Sequence, residues 1–315
     1  MDYEKLILVT RKTRLEGLVE RFNTLAQAKF YIEHSGGNFS LYEEEHARYM
    51  QALGMLRASL QRLAKLQEIE RSFLPNFIFT PSDLIVTIGI DGLVVNTAKY
   101  LNGQPVIAVN PDPEHIDGVL LPFDIRSAVP AVQNTLKGHM QIRQISMAET
   151  TLNDGQSLLA FNDFFVGAKS HISARYAIRF GEQEEHHSSS GIIISTGIGS
   201  TGWLSSLFNM ANGMYEIFAP SGHENPELQA LPPLRMKWES DRLVFVVREP
   251  FASKTSGAEL VGGLVTPEFP LVVESEMAEG GVIFSDGVEA DFLPFNSGTI
   301  ATISLAKRKT QLVIA

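Results

Sequence analysis

Hydrophobic residues in the first quarter of the chain occur first as a short continuous run and then at helical spacing. The run from Leu6 to Thr10 predicts a short buried strand. Apolar residues at helical spacing then predict a helix from Leu15 to about His34 and a longer one from Leu41 to about Leu66. The Ser-Gly-Gly-Asn segment at 35–38 indicates a turn between them. The longer helix either packs on its own domain or forms a dimer contact.

The next segment contains two apolar runs that flank a glycine turn. Leu84–Ile88 and Pro105–Val109 predict buried strands, and the residues from Leu93 to Leu101 predict a helix between them. A strand, a glycine turn, a helix and a second strand form a βαβ unit, whose strands run parallel. Ligands of parallel sheets bind beyond the carboxyl ends of the strands, and Asp91 follows such an end.

The pattern changes after about Gly138, where strand-like runs are separated by Gly, Pro and Asp turns. One helix is predicted there, from about Leu204 to Asn212. The runs that predict strands are Gln141–Ser146, Leu158–Val166, Ala174–Phe180, Ile192–Thr196, Arg242–Val247, Leu271–Glu274 and Thr299–Leu305. We therefore expect an α/β N-terminal domain over residues 1–138 with a Rossmann-like parallel sheet. A β-rich C-terminal domain over 139–315 follows, and its tail could return to pack on the first domain.

Composition narrows the class of function. The chain has 315 residues, 44% of them hydrophobic, which is enough for two ordinary globular cores. Its formal charge of −10 argues against non-specific binding to nucleic acid or to anionic membranes. The absence of cysteine excludes disulfides and thiolate chemistry. No apolar run reaches the ~20 residues of a membrane helix, and the N-terminus lacks a signal-peptide core, so we expect a cytoplasmic protein.

The first segment that could carry chemistry is Gly89-Ile90-Asp91-Gly92. Glycines let the backbone approach a phosphate closely and leave N–H groups that can point at it. An aspartate between them, at the end of a strand, could accept a proton from a hydroxyl group or hold Mg²⁺. The alternative is an ordinary turn from strand to helix in which Asp91 is the N-cap.

Two further segments place polar residues inside apolar surroundings. Asn162 and Asp163 interrupt the run Phe161 to Phe165, and buried polar groups need partners, so either a ligand or a turn must satisfy them. Asp286-Gly287 forms a turn that carries one carboxylate, which could also be a simple hairpin turn. The His186-His187 pair beside two glutamates is predicted to lie in a solvated loop rather than at a metal.

The segment from Ser195 to Trp203 is the most distinctive of the four. It reads Ser-Thr-Gly-Ile-Gly-Ser-Thr-Gly-Trp, follows the apolar run Ile192–Ile194 and precedes the predicted helix. Small residues, hydroxyl groups and a helix N-terminus together suit an anion or a nucleotide. The indole ring of Trp203 offers a face on which a base could stack.

Taken in order, these four segments resemble the NAD kinase family, which carries Gly-Gly-Asp-Gly, an Asn-Glu or Asn-Asp pair, a Thr-Gly-Ser/Thr-rich turn and a late Asp-Gly. The likeness spans about residues 84 to 290. It is greatest to the mitochondrial-type branch, because of the Val-Asn-Pro-Asp-Pro-Glu run at 109–114, Ser189-Ser190-Gly191 and Trp203. The resemblance implies two domains with the active site between them, and a homodimer or a larger assembly.

The resemblance also implies roles for single residues. Asp91 would deprotonate or orient the ribose 2′-hydroxyl group of the dinucleotide. Asn162 and Asp163 would hold its adenosine part. The nucleotide-binding residues that it implies are Gly89, Gly92, Asn110, Asn162, Asp163, Thr196, Gly199, Ser200, Thr201, Trp203 and Asp286. ATP would be the phosphoryl donor and Mg²⁺ the cofactor. No residue is assigned directly as a metal ligand: Mg²⁺ would be held through phosphates, and Asp91 could also contact it.

Two positions depart from the family pattern. Ile90 stands where the family has a second glycine, and Leu93 stands where it has threonine. A bulky residue at 90 could restrict the approach of a phosphate, and Leu93 removes a hydroxyl group. Because Asp91 is intact, we expect an active kinase with altered donor contacts.

Three functions are therefore open on the sequence alone. The first is an NAD kinase, whose donor could be ATP, another triphosphate or polyphosphate. The second is a kinase of the same superfamily that acts on a sugar phosphate or a lipid, and the third is a nucleotide sensor without catalysis. The Asn162-Asp163 pair and Trp203 favour a dinucleotide, whereas Ile90 and Leu93 motivate the sensor.

Overall fold

The structure is a computed structural model that describes residues 3–218, 232 and 234–315. It divides into two compact units. The first runs to Arg143 and also includes Thr310–Ala315, and the second is Gln144–Lys309. The last strand of the chain therefore belongs to the second unit up to Lys309 and to the first unit from Thr310. A helix with the length and apolar character to span a bilayer is absent from the described residues.

The first unit is built on a parallel sheet, as the βαβ pattern predicts. Its helices are α1 (Arg14–Phe22), α2 (Leu25–His34), α3 (Ser40–Leu60), α4 (Asp91–Ala98) and α5 (Ile125–Leu136). Its strands are β1 (Lys5–Thr10), β2 (Leu66–Glu70), β3 (Asp83–Ile88), β4 (Pro105–Asn110) and β5 (Phe123–Asp124). The strands β2, β1, β3 and β4 lie in this order, and β5 also pairs with β4, all in parallel. The carboxyl ends of β1, β3 and β4 therefore lie side by side.

The core of the first unit forms between this sheet and two helices. Apolar strand residues pack against one face of α3 and of α5 in a single buried cluster. Its members include Leu6, Leu8, Leu53, Leu56, Leu60, Leu84, Val86, Ile107, Val109, Ala128 and Val132. The strands are apolar on both faces, as parallel strands covered by helices must be.

The second unit contains two sheets and one long helix among its described residues. Its elements are β6 (Gln141–Leu152), β7 (Ser157–Ala160), β8 (Asp163–Ala168), β9 (Ala174–Phe180), β10 (Gln183–Ser189), β11 (Ile192–Ser195), α6 (Trp203–Phe218), β12 (Leu243–Val247), β13 (Gly262–Val265), β14 (Leu271–Ser275), β15 (Gly281–Ser285), β16 (Val288–Pro294) and β17 (Ile300–Ile314). One sheet has the antiparallel order β13-β12-β11-β8-β15-β16. The other contains β10-β9-β14-β17, and β6 pairs with both β17 and β7.

Alternate residues of these strands form the core of the second unit. Phe164, Ile194 and Phe245 of one sheet share a buried cluster with Tyr176 and Val273 of the other. The opposite face of the β11-β8-β15 sheet carries a smaller cluster that includes Trp203 of α6. The predicted fold class is thus confirmed: an α/β unit with a parallel sheet and a second unit rich in antiparallel strands.

Two helix predictions in the first unit were wrong in their bounds. The predicted helix from Leu15 to His34 is broken at Asn23, which has a left-handed φ of 65°, and Thr24 then caps α2. The predicted helix from Leu41 ends at Leu60 rather than at Leu66. Leu66 instead begins β2 and pairs with Leu6 of β1, because apolar spacing alone cannot separate the end of a helix from a following strand.

Two predictions in the second unit also need correction. The predicted strand from Leu158 to Val166 is two strands, since the chain leaves β7 and joins another sheet as β8 at Asp163. The predicted loop around His186 is strand β10, which pairs with β9. His187 is buried there and stacks on Tyr176 with ring centroids 5.6 Å apart.

Candidate functional site

The glycine turn of the first unit follows β3, where the sequence predicts it. The backbone N–H of Gly89 donates to the carbonyl of Val109 at 3.1 Å, which fixes the turn against β4. A Cβ atom on Gly89 would lie 3.1 Å from Leu93 Cδ2 and 3.3 Å from Arg11 Cδ, so the site favours glycine. Gly92 has no such neighbour within 4 Å among the described residues.

Asp91 is the first residue of α4 and not its N-cap. Its carboxylate accepts backbone N–H groups from Val119 at 3.1 Å and Leu120 at 2.9 Å. The two bonds fix the orientation of the carboxylate. An ionised carboxylate has about four acceptor positions, so two remain for a hydroxyl group or a cation.

The two residues that depart from the family pattern, Ile90 and Leu93, differ in their exposure to solvent. Ile90 precedes α4 and its side chain is 40% exposed. Leu93 is 1% exposed and contacts the position of a Gly89 Cβ atom. The side chain at 93 is therefore part of the interior, whereas the side chain at 90 is free to meet a ligand.

Asn110 ends β4 and holds the loop that follows. Its Nδ2 donates to the carbonyl of Ile116 at 2.8 Å, and its Oδ1 accepts the N–H of Asp112 at 2.9 Å. Asn110 and Asp91 thus fix the same loop from its two ends. The structure gives Asn110 a role in loop geometry that the sequence did not reveal.

In the second unit, Asp286 ties the Asn162-Asp163 turn in place. Its carboxylate accepts the backbone N–H groups of Phe161 at 3.0 Å, Asn162 at 2.6 Å and Asp163 at 3.4 Å. Its own N–H donates to the Asp163 carbonyl at 3.0 Å. Asp286 has φ 55° and Gly287 has φ 68°, so the β15–β16 hairpin turns through two left-handed residues.

The Ser195–Trp203 segment packs against the same turn. Thr196 Oγ1 donates to the Phe161 carbonyl at 2.6 Å, and its backbone N–H donates to the Asn162 carbonyl at 2.8 Å. A Cβ atom on Gly199 would lie 2.1 Å from that carbonyl oxygen of Asn162. Three sequence motifs that are far apart along the chain therefore meet at the ends of β8, β11 and β15.

The hydroxyl groups of the segment bond mainly within it. Ser200 Oγ donates to the Gly197 carbonyl at 2.7 Å and accepts the N–H of Met236 at 3.1 Å. Thr201 Oγ1 donates to the Ile198 carbonyl at 3.3 Å. These bonds help to fix the shape of the 196–202 turn.

Asp163 is the carboxylic acid of this group whose pKa is shifted. Its side chain is almost buried, with 8% of the residue exposed. Burial, together with the nearby charge of Asp286, raises the pKa of Asp163 to about 7. Such a group changes its protonation state near neutral pH, which is frequent at functional sites.

Trp203 faces a different part of the second unit. It lines a cavity of about 440 Å³ on the outer face of the β11-β8-β15 sheet, together with Phe165, Lys169 and Arg248. The indole ring is nearly parallel to Phe165 at a centroid distance of 6.0 Å, and the Arg248 guanidinium lies 5.4 Å from it. The residues around Asn162 and Thr196 do not line this cavity.

Sequence reasoning missed the two cations of this cavity. Arg248 follows the apolar strand β12, and Lys169 follows β8. A cation directly after a buried strand is the signal that could have found them, since strand ends are where side chains reach a ligand.

The candidate residues thus fall into two groups, one in each unit. Gly89, Asp91, Gly92 and Asn110 lie around the ends of β3 and β4. The second group comprises Asn162, Asp163, Thr196, Gly199, Ser200, Thr201 and Asp286, with Trp203 at the adjoining cavity.

Curated relatives match the chain in sequence. An NAD kinase of Chlorobium phaeobacteroides is 30% identical over 153 residues, which are 47% of this chain and 50% of that protein. An NAD kinase of Heliobacterium modesticaldum is 31% identical over 157 residues, which are again 47% of this chain and 50% of that protein. The chain thus spans about half the length of the curated relatives it matches. No family model matches it.

Solved structures match the fold over nearly the whole chain. An NAD kinase from Archaeoglobus fulgidus, solved in complex with ATP, superposes with a TM-score of 0.54 at 16% identity, covering 98% of this chain and 92% of that one. A yeast NADH kinase complexed with NADH superposes with a TM-score of 0.59 at 13% identity, covering 100% of this chain and 84% of that one. The relatives in sequence, which cover just under half of the chain, confirm the resemblance to the NAD kinase family, and the solved structures show that the fold is shared over nearly the whole chain.

Proposed function

We propose that the protein is an NAD kinase, which transfers the terminal phosphoryl group of ATP to the ribose 2′-hydroxyl of NAD and forms NADP. The observation that carries this proposal is the hydrogen-bonded contact among the Asn162-Asp163 turn, the Thr196–Gly199 turn and Asp286. These are three of the four segments by which the sequence resembles the family. The NAD kinases that match in sequence and fold support the same reaction.

The second unit is our candidate for holding the dinucleotide. Asn162 and Asp163 offer an amide and a carboxyl group at the start of β8, which suit the hydroxyl groups of a ribose. The half-buried indole ring of Trp203, which lines the cavity, suits a base, and Arg248 and Lys169 near it suit the pyrophosphate. Asp286 then has a positioning role, because its carboxylate is occupied by backbone N–H groups.

Asp91 is our candidate catalytic residue. Its carboxylate is oriented by Val119 and Leu120 and retains acceptor positions for the 2′-hydroxyl proton. As that oxygen attacks the terminal phosphorus atom, its proton passes to Asp91, and the bond to the bridging oxygen breaks to leave ADP. Positioning supplies most of the rate in such a transfer.

Mg²⁺ is proposed to arrive with the triphosphate. Among the described residues no three His, Asp or Glu side chains converge as a protein cage for a metal would require. Mg²⁺ commonly takes one or two carboxylates together with phosphate oxygens and water, and Asp91 is the carboxylate that fits this set. The cation would neutralise phosphate charge.

A coupled dehydrogenase assay with Mg²⁺, ATP and NAD tests the proposal. We expect the wild type to form NADP and Asp91→Asn to lose about 100-fold or more in kcat. Asp117→Asn, which changes an exposed aspartate of the same unit, is the matched control and should retain activity. If the wild type binds NAD but forms no NADP, the chain is instead a nucleotide sensor.

Location and assembly belong to the same proposal. We infer a cytoplasmic homodimer, supported by the lack of cysteine and by the family resemblance. Light scattering of the purified protein would give its mass in solution, and a monomeric mass would exclude the dimer.

A further inference from the structure

The carboxylate of Asp91 is held by a loop that has no helix or strand of its own. This loop, residues 111–122, connects β4 to β5. The backbone N–H groups of Val119 and Leu120 within it donate to the two carboxylate oxygens at 3.1 and 2.9 Å. The loop therefore sets the direction in which the carboxylate points. A catalytic group has to be held within about 0.5 Å of its productive position, so whatever fixes the loop bears on the proposed reaction.

Backbone and amide hydrogen bonds fix the shape of this loop. The N–H of Ile116 donates to the carbonyl of Asp112 at 2.9 Å, and Asn110 Nδ2 donates to the carbonyl of Ile116 at 2.8 Å. Gly118 has a left-handed φ of 59°, and a Cβ atom there would lie 2.9 Å from Asn110 Nδ2. Contacts within the loop define its shape, but they do not fix its position on the rest of the unit.

The side chain of Asp112 attaches the loop to α3. Its Oδ2 accepts a hydrogen bond from Arg48 Nε at 2.7 Å, and its Oδ1 lies 2.9 Å from Nδ1 of His115. Arg48 is a residue of α3, and Tyr49 and Leu53 of the same helix are buried in the core of the unit. The contact between Arg48 and Asp112 therefore links the loop to an element that the core holds in place.

The Asp112 carboxylate is well shielded for a residue of a loop. Its side chain is 13% exposed, whereas that of Arg48 is 36% exposed. Burial by itself raises the pKa of Asp112, but the hydrogen bonds from His115 and Arg48 outweigh burial and lower the pKa. Asp112 is therefore ionised at neutral pH. Exposed ion pairs contribute little to stability, whereas this carboxylate is largely shielded and has a partner at each oxygen.

We propose that Asp112 is a positioning residue for Asp91. Its contact with Arg48 holds the loop on α3, and the loop in turn holds the Asp91 carboxylate through Val119 and Leu120. Asp112 acts only through the loop and does not touch the reacting atoms. The inference deepens the proposed function, on which it rests for the catalytic role of Asp91.

Hydrogen exchange of the backbone amides tests the anchoring of the loop without any turnover. In Asp112→Ala we expect the N–H groups of Val119 and Leu120 to exchange about tenfold faster or more, because the loop opens more often. Arg48→Ala removes the same contact from the other side and should give the same increase. The double variant should exchange no faster than either single variant, since both substitutions break one contact.

Asp117→Ala is the matched control for the exchange experiment. It removes the same charge from an exposed position of the same loop, and the exchange of Val119 and Leu120 should stay as in the wild type. An equal rise in Asp117→Ala and Asp112→Ala would show an effect of net charge alone. Unchanged exchange in both Asp112→Ala and Arg48→Ala would show that their contact does not hold the loop. Either result would overturn the proposal.

Steady-state kinetics test whether the loop acts through Asp91. We expect kcat to fall about tenfold in Asp112→Ala, with the KM values for NAD and ATP nearly unchanged, because orientation is lost and binding is kept. In the Asp91→Asn background the same substitution should change kcat by less than about twofold, since no carboxylate remains to be oriented. A similar fall in both backgrounds would show that Asp112 supports the site only in a general way, which contradicts the positioning role.

Failure of this inference and failure of the proposed function give different results. NADP formation at the wild-type rate in Asp112→Ala would reject the positioning role and leave the kinase standing. Faster exchange of Val119 and Leu120 in the variants, with no NADP formed even by the wild type, would support the anchoring of the Asp91 loop by Asp112 and reject the NAD kinase.

Discussion

Asp163 and Asp286 are carboxylates of the second unit with different partners. Asp286 accepts three backbone N–H groups, so its negative charge is compensated within the turn. Asp163 is buried beside it, and its pKa is raised to about 7 by burial and by the charge of Asp286. The folded protein therefore binds a proton at Asp163 that the unfolded chain, with an ordinary aspartate, releases at much lower pH.

Asp163→Asn should stabilise the protein at pH 8 and much less at pH 4. Since the folded pKa lies above the unfolded one, the contribution of Asp163 is fully present below pH about 4 and is lost as the pH rises to about 7. At pH 8 the free energy of unfolding of the variant should exceed that of the wild type by a few kcal/mol, because a tenfold change in proton affinity corresponds to roughly 1.4 kcal/mol. Urea unfolding across this pH range measures it.

Asp154→Asn is the matched control, because the pKa of Asp154 is shifted in the opposite direction to that of Asp163. Hydrogen bonds from Gln156 lower the pKa of Asp154, so its replacement should bring no gain of stability at pH 8. A gap for Asp163→Asn that is the same at pH 4 and pH 8 would contradict the raised pKa.

Gly199, in the turn that packs on Asn162, leaves no room for a larger side chain. In Gly199→Ala the new Cβ atom would meet the Asn162 carbonyl oxygen at 2.1 Å, so the two turns must separate. We expect a loss of about 2 kcal/mol in the free energy of unfolding and weaker NAD binding. Gly213 lies in α6, and an added Cβ atom there would have no described neighbour within 4 Å. Gly213→Ala should therefore raise the free energy of unfolding by up to about 1 kcal/mol through helix propensity. Equal melting temperatures for the two variants would rule out the close contact.

Among elements, the β15–β16 hairpin has the clearest link to the site. Asp286→Ala would leave the N–H groups of Phe161 and Asn162 without their acceptor, at a cost of roughly 2 to 4 kcal/mol. Asp286→Asn keeps one acceptor oxygen and tolerates the left-handed φ, so it should be milder. Thermal unfolding and NAD titration of both variants measure the two losses. A larger loss in Asp286→Asn than in Asp286→Ala would contradict the role of the carboxylate.

Elements with one unambiguous pattern were predictable from the sequence. The continuous apolar runs of β3, β4 and β11 predict buried strands, and the glycines after β3 predict the turn. Strand β10 was missed because Glu184, His186 and Ser188 on one face alternate with polar residues on the other. The pairing that buries His187 against Tyr176 is a tertiary effect, which sequence spacing cannot reveal.

The same limit applies to the site. The motifs identified Asp91, Asn162 and Asp286 as notable, since glycine turns and isolated polar residues at strand ends are visible in sequence. That the Asp286 carboxylate holds the Asn162 turn depends on β8 and β15 being neighbours. Arg48 meets Asp112 only because α3 lies beside the loop that follows β4.

At the scale of the whole molecule, the chain returns to its first unit at the end. Gln311 and Leu312 of β17 pair in parallel with Pro105 and Val106 of β4. Leu312→Ala would remove a side chain that is 1% exposed and should cost about 2 to 5 kcal/mol. Hydrogen exchange should show faster exchange in β3 and β4.

Lys307→Ala is the control for this prediction. Lys307 lies in the same strand but is exposed and belongs to the second unit. Its replacement should leave the exchange rates of β4 unchanged. Unchanged exchange in β4 for Leu312→Ala as well would show that the last residues do not support that strand.

The pairing of β17 with β4 has a consequence for folding during synthesis. On the ribosome, β4 is made long before its neighbour, since the whole second unit is synthesised between them. Until then the Pro105–Val106 part of β4 lacks its neighbour, although β5 already pairs with Val109 and Asn110, and closing so long a loop is slow and entropically costly. An unpaired strand edge is a template for pairing with other chains, so we expect nascent chains of this protein to need protection by chaperones until Gln311 and Leu312 emerge.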